Sequence, residues 1–378
     1  MKPGVATCLL LLSILYLPAQ DADTISSPDT HTLTLVFAGD IMGHDTQIEG
    51  AYDSATQSYN YEPVFRYVSD YISGADIAIG NLEVTLAGPP YKGYPQFSSP
   101  DALAEEIKKT GFDILVTANN HALDRGEAGF TRTLDVLDNI GFFRAGTYRD
   151  SIEQANIHPL IIEKNLIRIA LLNYTYGTNG LKIKPPCRIN RIDTAVIAYE
   201  LKKAKLANPD FIIVFIHWGN EYEREENTVQ KKLAEFIIKN GADAIIGSHP
   251  HVVQPFRFIT LPGDTLKTCP VVYSLGNFVS NQRAQYKDGG IIAELHISKT
   301  GQETRFDSIN YLPYWVWRQD RTDGKSTFYV LPVAKYESNP DAFELLPGDV
   351  YRLNRFAGDT REHLKIIRES SYYIKSEK

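Results

Sequence analysis

The sequence is poor in cysteine and methionine and has no surplus of positive charge. Its 378 residues include 3 cysteines and 2 methionines, and 39 lysines and arginines stand against 46 aspartates and glutamates. The formal net charge of −7 argues against a nucleic-acid-binding protein, which normally carries a basic surface. No two cysteines are spaced as Cys-x-x-Cys, so the sequence offers no cysteine-based zinc site.

Long hydrophobic runs are scarce too. The run over residues 5–17 is too short to span a bilayer comfortably. Lys2 precedes it and a polar, acidic segment follows it, which is the layout of a secretory signal peptide. We therefore predict a signal peptide over residues 1–20 and a polar linker over residues 21–31. The expected location is the periplasm or the cell surface, with an uncleaved N-terminal anchor as the alternative.

Export affects how the cysteines are interpreted. Cys187 and Cys269 would remain after removal of the signal peptide, and an oxidising compartment permits a disulfide between them. Two buried thiols fit the sequence equally well, because the sequence does not fix the Cα spacing that a disulfide needs. Both alternatives stay open.

Apolar, β-branched segments alternate with helical patterns in the first two thirds of the chain. This βαβ order favours parallel strands covered by helices. The helices are predicted over residues 64–72, 102–109, 130–140 and 229–239. The strands are predicted near residues 33–39, 76–80, 112–118, 211–216 and 243–247.

The last third of the chain is richer in strand patterns joined by turns, which favours antiparallel or mixed pairing. A final amphipathic helix is predicted over residues 360–370. Two packed sheets with helices on the outside would accommodate both parts in an α/β fold. We predict one domain over residues 32–335 and a C-terminal extension over residues 336–378 that ends in a helix. The strand-like runs are residues 253–259, 271–275, 291–297, 306–312 and 327–333.

Polar side chains follow five of the predicted strands, at the point where each strand ends. They are Asp40, Asn81, Asn120 with His121, His217 and His249. Any one of them could cap a helix or be a hydrogen-bonded core residue. Binding sites of open α/β sheets form at the carboxyl ends of the strands, so five such residues together indicate a site.

The residue types at these strand ends are those that bind divalent transition metals. In His249-Pro250-His251 two imidazoles lie two residues apart, and in an extended segment they would point to the same side. Pro250 restricts its own φ and would stiffen the pair. The sequence therefore predicts a metal site at this edge.

Six short motifs in order strengthen this prediction, and together they resemble the CapA family of poly-γ-glutamate capsule synthesis proteins over roughly residues 33–282. That family is similar in turn to the calcineurin-like metallophosphatases. The resemblance implies a four-layer α/β/β/α sandwich of two mixed sheets with a two-metal site at the strand ends. The motifs are Gly39-Asp40-Ile41-Met42, Gly80-Asn81-Leu82-Glu83, Asn119-Asn120-His121-Ala122-Leu123-Asp124-Arg125-Gly126, His217-Trp218-Gly219-Asn220-Glu221-Tyr222, Gly247-Ser248-His249-Pro250-His251-Val252-Val253-Gln254 and Tyr273-Ser274-Leu275-Gly276-Asn277-Phe278.

The resemblance also implies roles for individual residues. His121 matches the catalytic histidine, which would act on the leaving group, and Asp124 would orient its ring. His44, Glu221 and Asn277 are assigned as extra metal or substrate contacts. The implied metal ligands are Asp40, Asn81, Glu83, Asn120, His217, His249 and His251.

Two positions depart from the superfamily's pattern. The first motif normally has a histidine two residues after its aspartate, but here Met42 stands there and His44 is the nearest imidazole. Asn81 replaces the aspartate that bridges two metals, and a neutral amide cannot bridge cations as a carboxylate does. Either Glu83 takes over the bridging role or the site holds one metal.

The function implied by the resemblance is a metal-dependent hydrolase or transferase with one or two divalent metals, Mn, Zn or Fe. Its substrate would be a surface polymer of the poly-γ-glutamate type or a small ester, cleaved at a phosphoester, ester or amide bond. One alternative is a non-catalytic accessory protein that binds the polymer together with membrane-bound capsule synthesis machinery. The other is a structural exported domain that has lost its metals. The net negative charge weighs against a long polyanion as substrate unless local cations or metals neutralise it.

Overall fold

A computed structural model describes residues 29–261 and 264–375 of the chain. The predicted signal peptide and most of the predicted linker lie outside the described residues, and both stay predictions. From Thr30 onward the chain forms two large mixed β-sheets. In the described ranges no helix is long and apolar enough to cross a membrane.

The first sheet has nine strands, with Thr30–Ile41 near its centre. This strand pairs in parallel with Ile77–Leu82 and antiparallel with Gly289–Thr300, so the sheet is mixed. Asn277–Val279 also pairs with the central strand, and Arg368–Glu369 pairs with Glu303–Asp320. The spatial order of the main strands is Ser326–Pro332, Glu303–Asp320, Gly289–Thr300, Thr30–Ile41, Ile77–Leu82, Ile114–Val116 and Phe143–Ala145.

The second sheet has six strands. The four inner strands are parallel, and each outer strand is antiparallel to its neighbour. Its spatial order is Phe256–Leu261, Asp264–Val272, Ala244–Ser248, Phe211–His217, Ile167–Thr175 and Leu160–Lys164. Two small ribbons pair Thr147–Tyr148 with Arg188–Ile189 and Tyr52–Asp53 with Ser58–Tyr59.

Side chains along each strand alternate between the two faces of the sheet, and this alternation divides the hydrophobic core into layers. Leu35 and Phe37 lie in the hydrophobic cluster between the two sheets, while Val36 lies in the cluster on the outer face of the first sheet. Val214, on the outer face of the second sheet, packs in a third cluster with helical residues such as Ile237. Successive side chains of a strand point to opposite faces, so each sheet buries one face against the other sheet and one against helices. The predicted four-layer α/β/β/α fold of two mixed sheets is confirmed.

The helices lie mainly between strands, as a βαβ chain requires. Pro347–His363 and the strand Glu303–Asp320 share one hydrophobic cluster, so the C-terminal part packs on the first sheet. The predicted boundary at residue 335 stays a prediction. The helices are Asp45–Ala51, Glu62–Phe65, Ser69–Ser73, Asp101–Thr110, Gly126–Ile140, Ser151–Ile157, Thr194–Leu206, Thr228–Lys239, Val333–Ser338, Pro347–His363 and Tyr372–Lys375, with a 3₁₀ turn at Pro340–Ala342.

Two sequence-based helix predictions were wrong in their extent. The segment predicted as one helix over 64–72 forms two short helices, Glu62–Phe65 and Ser69–Ser73, and buries Val68 at the turn between them. The helix predicted over 360–370 begins at Pro347 and ends at His363. Proline is favoured in the first turn of a helix, where its missing N–H costs nothing.

The two cysteines lie in different hydrophobic clusters. Cys187 packs with Leu123 and Phe130, and Cys269 packs in the cluster that covers the outer face of the second sheet. Both are buried, and no disulfide joins them. Of the two alternatives left open by the sequence, the structure has the buried thiols.

Candidate metal centre

The carboxyl ends of the central strands of both sheets meet at one edge. Asp40 lies at the end of Thr30–Ile41, and His217 at the end of Phe211–His217 in the other sheet. Hydrogen bonds cross between the sheets here: Asn120 Oδ1 lies 2.9 Å from His217 Nε2, and His251 Nδ1 lies 3.0 Å from Asp40 Oδ2. The side chains that followed separate strands in the sequence therefore form one cluster.

Asp40 is fully buried and held by several donors. Its Oδ1 accepts a hydrogen bond of 2.8 Å from Asn81 Nδ2, and its Oδ2 lies close to both His251 Nδ1 and the backbone N–H of His249, the latter at 3.4 Å. Burial alone would raise the pKa of Asp40, but the hydrogen bonds from His251 and Asn81 outweigh it and lower that pKa. The carboxylate is therefore kept ionised and oriented.

Glu83 occupies the middle of the cluster. Its Oε1 lies 3.5 Å from His217 Nε2 and 3.9 Å from His251 Nε2. Among the residues described, none donates a hydrogen bond to this oxygen, whereas Oε2 accepts one of 3.4 Å from Asn81 Nδ2. Burial raises the pKa of Glu83 well above its usual range, and the nearby Asp40 carboxylate raises it further. A buried acceptor without a donor is costly, and a cation would relieve that cost.

Two sets of three donor side chains share this glutamate. Within each set, the ligand atoms all lie within 4.8 Å of one another. We name the first set the His249 group and the second the Asp40 group. The His249 group consists of Glu83, His217 and His249, and the Asp40 group consists of Asp40, Glu83 and His251.

The imidazoles of the His249 group are available as neutral ligands. Burial lowers the pKa of His217 well below its usual range, and the neighbouring His249 and His251 rings act in the same direction. Burial also lowers the pKa of His249, to about 3. Because His249 Nδ1 is buried without a hydrogen-bond partner, the donor set fits a divalent cation.

The segment His249-Pro250-His251 is not extended, contrary to the sequence-based prediction. The φ angle of His249 is 100° and that of His251 is 57°, both in the left-handed region. The strand ends at Ser248, and the following turn places the two rings 6.1 Å apart, in different donor groups. Such backbone conformations are disfavoured for non-glycine residues and cluster at functional sites.

His121 lies beside the cluster and is oriented by a carboxylate. Its Nδ1 lies 2.7 Å from Asp124 Oδ2, and the same oxygen accepts a hydrogen bond of 2.8 Å from the backbone N–H of Phe97. The Phe97 ring contacts the His121 ring edge to face, with centroids 4.7 Å apart. With Nδ1 engaged, Nε2 is the nitrogen left for a substrate.

The remaining predicted contacts lie at the periphery. His44 Nδ1 lies 3.0 Å from Gln47 Oε1 and accepts a hydrogen bond of 3.2 Å from the backbone N–H of Asn281, so this ring is committed to local structure. Glu221 is exposed. Asn277 is buried, and its Nδ2 donates to the backbone carbonyl oxygen of Lys287 at 2.9 Å. None of the three belongs to either donor group, and their roles as contacts stay predictions.

Sequence reasoning missed several side chains that shape the centre. Ser248 Oγ lies 2.9 Å from His217 Nδ1, which leaves the other ring nitrogen facing the centre. The Tyr176 ring lies 4.5 Å from the His249 ring and is partly exposed. Asn119 Nδ2 donates to the carbonyl oxygen of Leu82 at 2.7 Å and so ties two strand ends together. Ser248 and Asn119 lie inside the motifs quoted above, whereas no motif marks Tyr176.

Solved structures are similar to this chain only at low sequence identity. The NAD nucleotidase NadN of Haemophilus influenzae is 12% identical, with a TM-score of 0.49 over 88% of this chain and 60% of that chain. The calcineurin-like phosphoesterase YfkN of Bacillus subtilis is 14% identical, with a TM-score of 0.44 over 89% of this chain and 99% of that chain. At these scores neither adds to what the chain's own residues establish.

Curated proteins are more similar to this chain. The capsule biosynthesis protein CapA of Bacillus anthracis is 27% identical over 316 residues, which is 79% of this chain and 73% of that protein. The PGA biosynthesis protein CapA of Bacillus subtilis is 27% identical over 304 residues, 78% of this chain and 75% of that protein. The family model described as bacterial capsule synthesis protein PGA_cap matches residues 34–282, which include every residue of both donor groups and the His121–Asp124 pair. The chain therefore belongs to the PGA_cap family of bacterial capsule synthesis proteins.

Proposed function

We propose that this chain is an exported, metal-dependent hydrolase or transferase that acts on a surface polymer of the poly-γ-glutamate type or on a related ester. The observation that carries the proposal is the position of Glu83. It is a buried carboxylate, without a hydrogen bond at Oε1, and it is shared by two groups of metal-ligand side chains. Glu83 would thereby take the bridging role that the neutral Asn81 cannot fill.

The chemistry follows from the groups around Glu83. When bound, a divalent cation supplies Lewis acidity, which lowers the pKa of a water molecule and polarises a phosphoryl or acyl oxygen. Asp40 and the three imidazoles of the two groups would hold the cations. Asn81 donates to Asp40 and keeps its carboxylate oriented. Mn, Zn and Fe all accept carboxylate and imidazole ligands, so the ligand types admit each of them.

His121 would transfer the proton to the leaving group. Its Nδ1 is held by Asp124, so Nε2 is the atom that would donate. The buried Asp124 carboxylate fixes the ring in one orientation and one tautomer. Phe97 covers one side of this pair and limits access of water to it.

One pair of residues favours the alternative, a polymer-binding accessory protein without turnover. Met42 stands where the superfamily has a histidine and is buried in the hydrophobic cluster on the outer face of the first sheet. Asn81 uses its amide to hydrogen-bond Asp40. If these two departures weaken cation binding enough, the protein would bind the polymer without cleaving it.

The proposal is tested by metal analysis and turnover on the same preparations. Wild-type protein purified without chelators should contain a divalent metal and hydrolyse a phosphodiester such as bis(p-nitrophenyl) phosphate, or poly-γ-glutamate, when Mn²⁺ or Zn²⁺ is added. Glu83→Gln should lose both metal and turnover, because an amide replaces the shared carboxylate. Glu200→Gln is the matched control, a buried glutamate that accepts a hydrogen bond of 2.6 Å from Tyr174 outside the centre.

The outcomes separate the two functions. Metal bound by wild type and Glu200→Gln but lost in Glu83→Gln, with turnover following the metal, supports the enzyme. Metal without turnover on every substrate, together with polymer binding, supports the accessory protein. Wild-type protein that binds no metal would contradict the metal-dependent enzyme, and polymer binding by that protein would then support the accessory function.

A further inference from the structure

A groove of about 580 Å³ lies outside the metal centre, lined by residues of the strand Glu303–Asp320 and of the helix Pro347–His363. This volume is in the range of ligand-binding sites, about 300–1,000 Å³. Three arginines, Arg283, Arg318 and Arg352, and the Trp317 indole line it. The groove is therefore rich in cationic donors, in a protein whose net charge is −7.

Arg283 forms no direct ion pair with any residue that the structure describes. One of its N–H groups donates to the carbonyl oxygen of Val316 at 2.6 Å, and its guanidinium lies 5.4 Å from the centroid of the Trp315 ring. Among the residues described, no carboxylate oxygen lies within the 4.0 Å that defines an ion pair with Arg283. Burial lowers the pKa of Arg283 to about 10. The charges of Arg352 and Arg318 lower it further, while the carboxylates of Asp288 and Asp349 oppose that change. An anion in the groove would give this half-buried charge a direct partner.

The acidic residues of the groove are otherwise engaged or exposed. Asp320 pairs with Arg318 at 2.9 Å, and Asp349 lies 3.7 Å from Arg352. Glu344 is exposed, and it forms no ion pair with any described residue. The groove therefore contains one half-buried guanidinium, that of Arg283, which forms no direct ion pair with a described carboxylate.

A second donor in the same wall is also unsatisfied. The Trp317 side chain is 4% exposed, and its indole N–H has no acceptor in the described structure. Buried N–H groups are nearly always hydrogen-bonded, so an orphan in the wall of a groove calls for an acceptor. An anionic oxygen would serve both Arg283 and an indole N–H, since each is a donor without acceptor capacity.

The loop that carries Arg283 leads back to the metal centre. Asn277 Nδ2 donates to Gln282 Oε1 at 3.1 Å and to the carbonyl oxygen of Lys287 at 2.9 Å, and Asn277 itself pairs with Asp40 across the sheet. The Lys287 ammonium lies 3.8 Å from the centroid of the Tyr222 ring. The Tyr222 ring in turn lies 6.2 Å from the His251 ring. One loop thus places Lys287 against Tyr222, a neighbour of His251, and Arg283 in the groove.

We propose that this groove is a second binding site, for a carboxylate or phosphate group of the polymer whose chain reaches the metal centre. This proposal rests on the proposed function, because the same polymer would bind at the groove and at the metal centre. A chain with repeated anionic groups would contact Lys287 beside the centre and Arg283 in the groove. The planar fork of an arginine suits the two oxygens of either group. These two cations would meet the anionic groups directly, in a protein whose net charge is negative.

The test is equilibrium binding by isothermal titration calorimetry to the full chain. The probes are a short γ-glutamate oligomer, linear polyphosphate of the same length and a neutral dextran oligomer. Arg283→Met should weaken binding of an anionic probe about tenfold, equivalent to about 1.4 kcal/mol. Arg283→Lys should lose less, because it keeps the charge. Arg352→Gln should weaken binding by a smaller factor than Arg283→Met. This second variant tests the groove if Arg283→Met does not fold.

The controls separate the groove from the metal centre. Arg66→Gln, at an exposed arginine that pairs with Glu62 and does not line the groove, should bind as wild type does. A protein with both His249 and His251 replaced by alanine should still bind the anionic probe, and Arg283→Met should still weaken that binding. This result would hold whether or not the chain is a metal-dependent enzyme. The tighter of the two anionic probes identifies carboxylate or phosphate as the natural group. Wild-type binding by the Arg283 and Arg352 variants, equal binding of dextran, or no binding of either anionic probe would overturn the proposal.

Discussion

The two donor groups of the metal centre differ in how far the protein satisfies them on its own. In the Asp40 group, the carboxylate accepts hydrogen bonds from Asn81 and His251, so its geometry is fixed by the chain itself. In the His249 group, His249 Nδ1 has no hydrogen-bond partner among the described residues. Glu83 Oε1, which belongs to both groups, also lacks a hydrogen bond within that part of the chain.

The Asp40 group is therefore the preorganised half of the centre, and the His249 group is the half that needs an external partner. Hydrogen bonds that orient Asp40 reduce the reorganisation needed for cation binding. The unsatisfied atoms of the other half are costly in the metal-free protein and would gain most from a cation. Glu83 couples the two donor groups, because a change in its charge alters the electrostatic environment of both.

The largest expected effect is the loss of metal from a protein with His249→Ala and His251→Ala combined. This variant removes one ligand from each group, so the metal content should fall to background. The fold should persist, because neither histidine belongs to the hydrophobic clusters that form the layers. Metal analysis and thermal unfolding check the two expectations.

A matched variant makes this result specific. His296→Ala and His363→Ala combined remove two imidazoles outside the centre, one paired with Glu294 at 3.0 Å and one near Glu225 at 3.8 Å. That variant should keep its metal. Unchanged metal stoichiometry in the His249/His251 variant would show that the ligands are wrongly assigned.

The next effect concerns turnover rather than metal. His121→Ala should keep the metal and lose activity by roughly 10²–10⁴-fold, as expected for a general acid–base group. Asp124→Asn should lose less, because it removes only the orientation of the ring. Steady-state kinetics beside metal analysis measure both, with His296→Ala as the control. Robust activity in His121→Ala would leave the metal assignment standing and the catalytic assignment wrong.

The smallest effect tests the comparison in the metal-free state. His251→Phe keeps a ring but removes a hydrogen bond to the buried Asp40, so it should lower the free energy of unfolding by about 1–3 kcal/mol. His249→Phe removes a ring nitrogen that has no partner and should be nearly neutral or stabilising. Denaturant unfolding in the presence of a chelator checks both. Equal losses in the two variants would remove the distinction between the halves.

Much of the fold could be predicted from local patterns. Buried strands such as Phe211–His217 are continuous apolar runs, and their ends are marked by polar residues or glycine. The Ile167–Thr175 strand and the Thr194–Leu206 helix lie in a stretch to which no element was assigned. The helix Pro347–His363 begins 13 residues before the helix predicted over 360–370, because its weak apolar periodicity does not mark its start.

The arrangement of the metal centre was harder to predict than the identity of its residues. The motifs identified Asp40, Glu83 and the histidines, since each follows a strand. They did not reveal that His249 and His251 serve different groups, because this depends on positive φ angles after Ser248. Nor could the sequence show that Arg283 forms no direct ion pair with a described residue, because this depends on side chains far apart in the chain.

The central claim is that Glu83 is shared by two cations. A crystal structure of the metal-loaded protein with anomalous scattering data tests it most directly. The account predicts two anomalous peaks roughly 3.5–4 Å apart, as in two-metal sites, one beside His217 and His249 and one beside Asp40 and His251, with Glu83 in contact with both. A single peak, or two peaks without Glu83 between them, would contradict it.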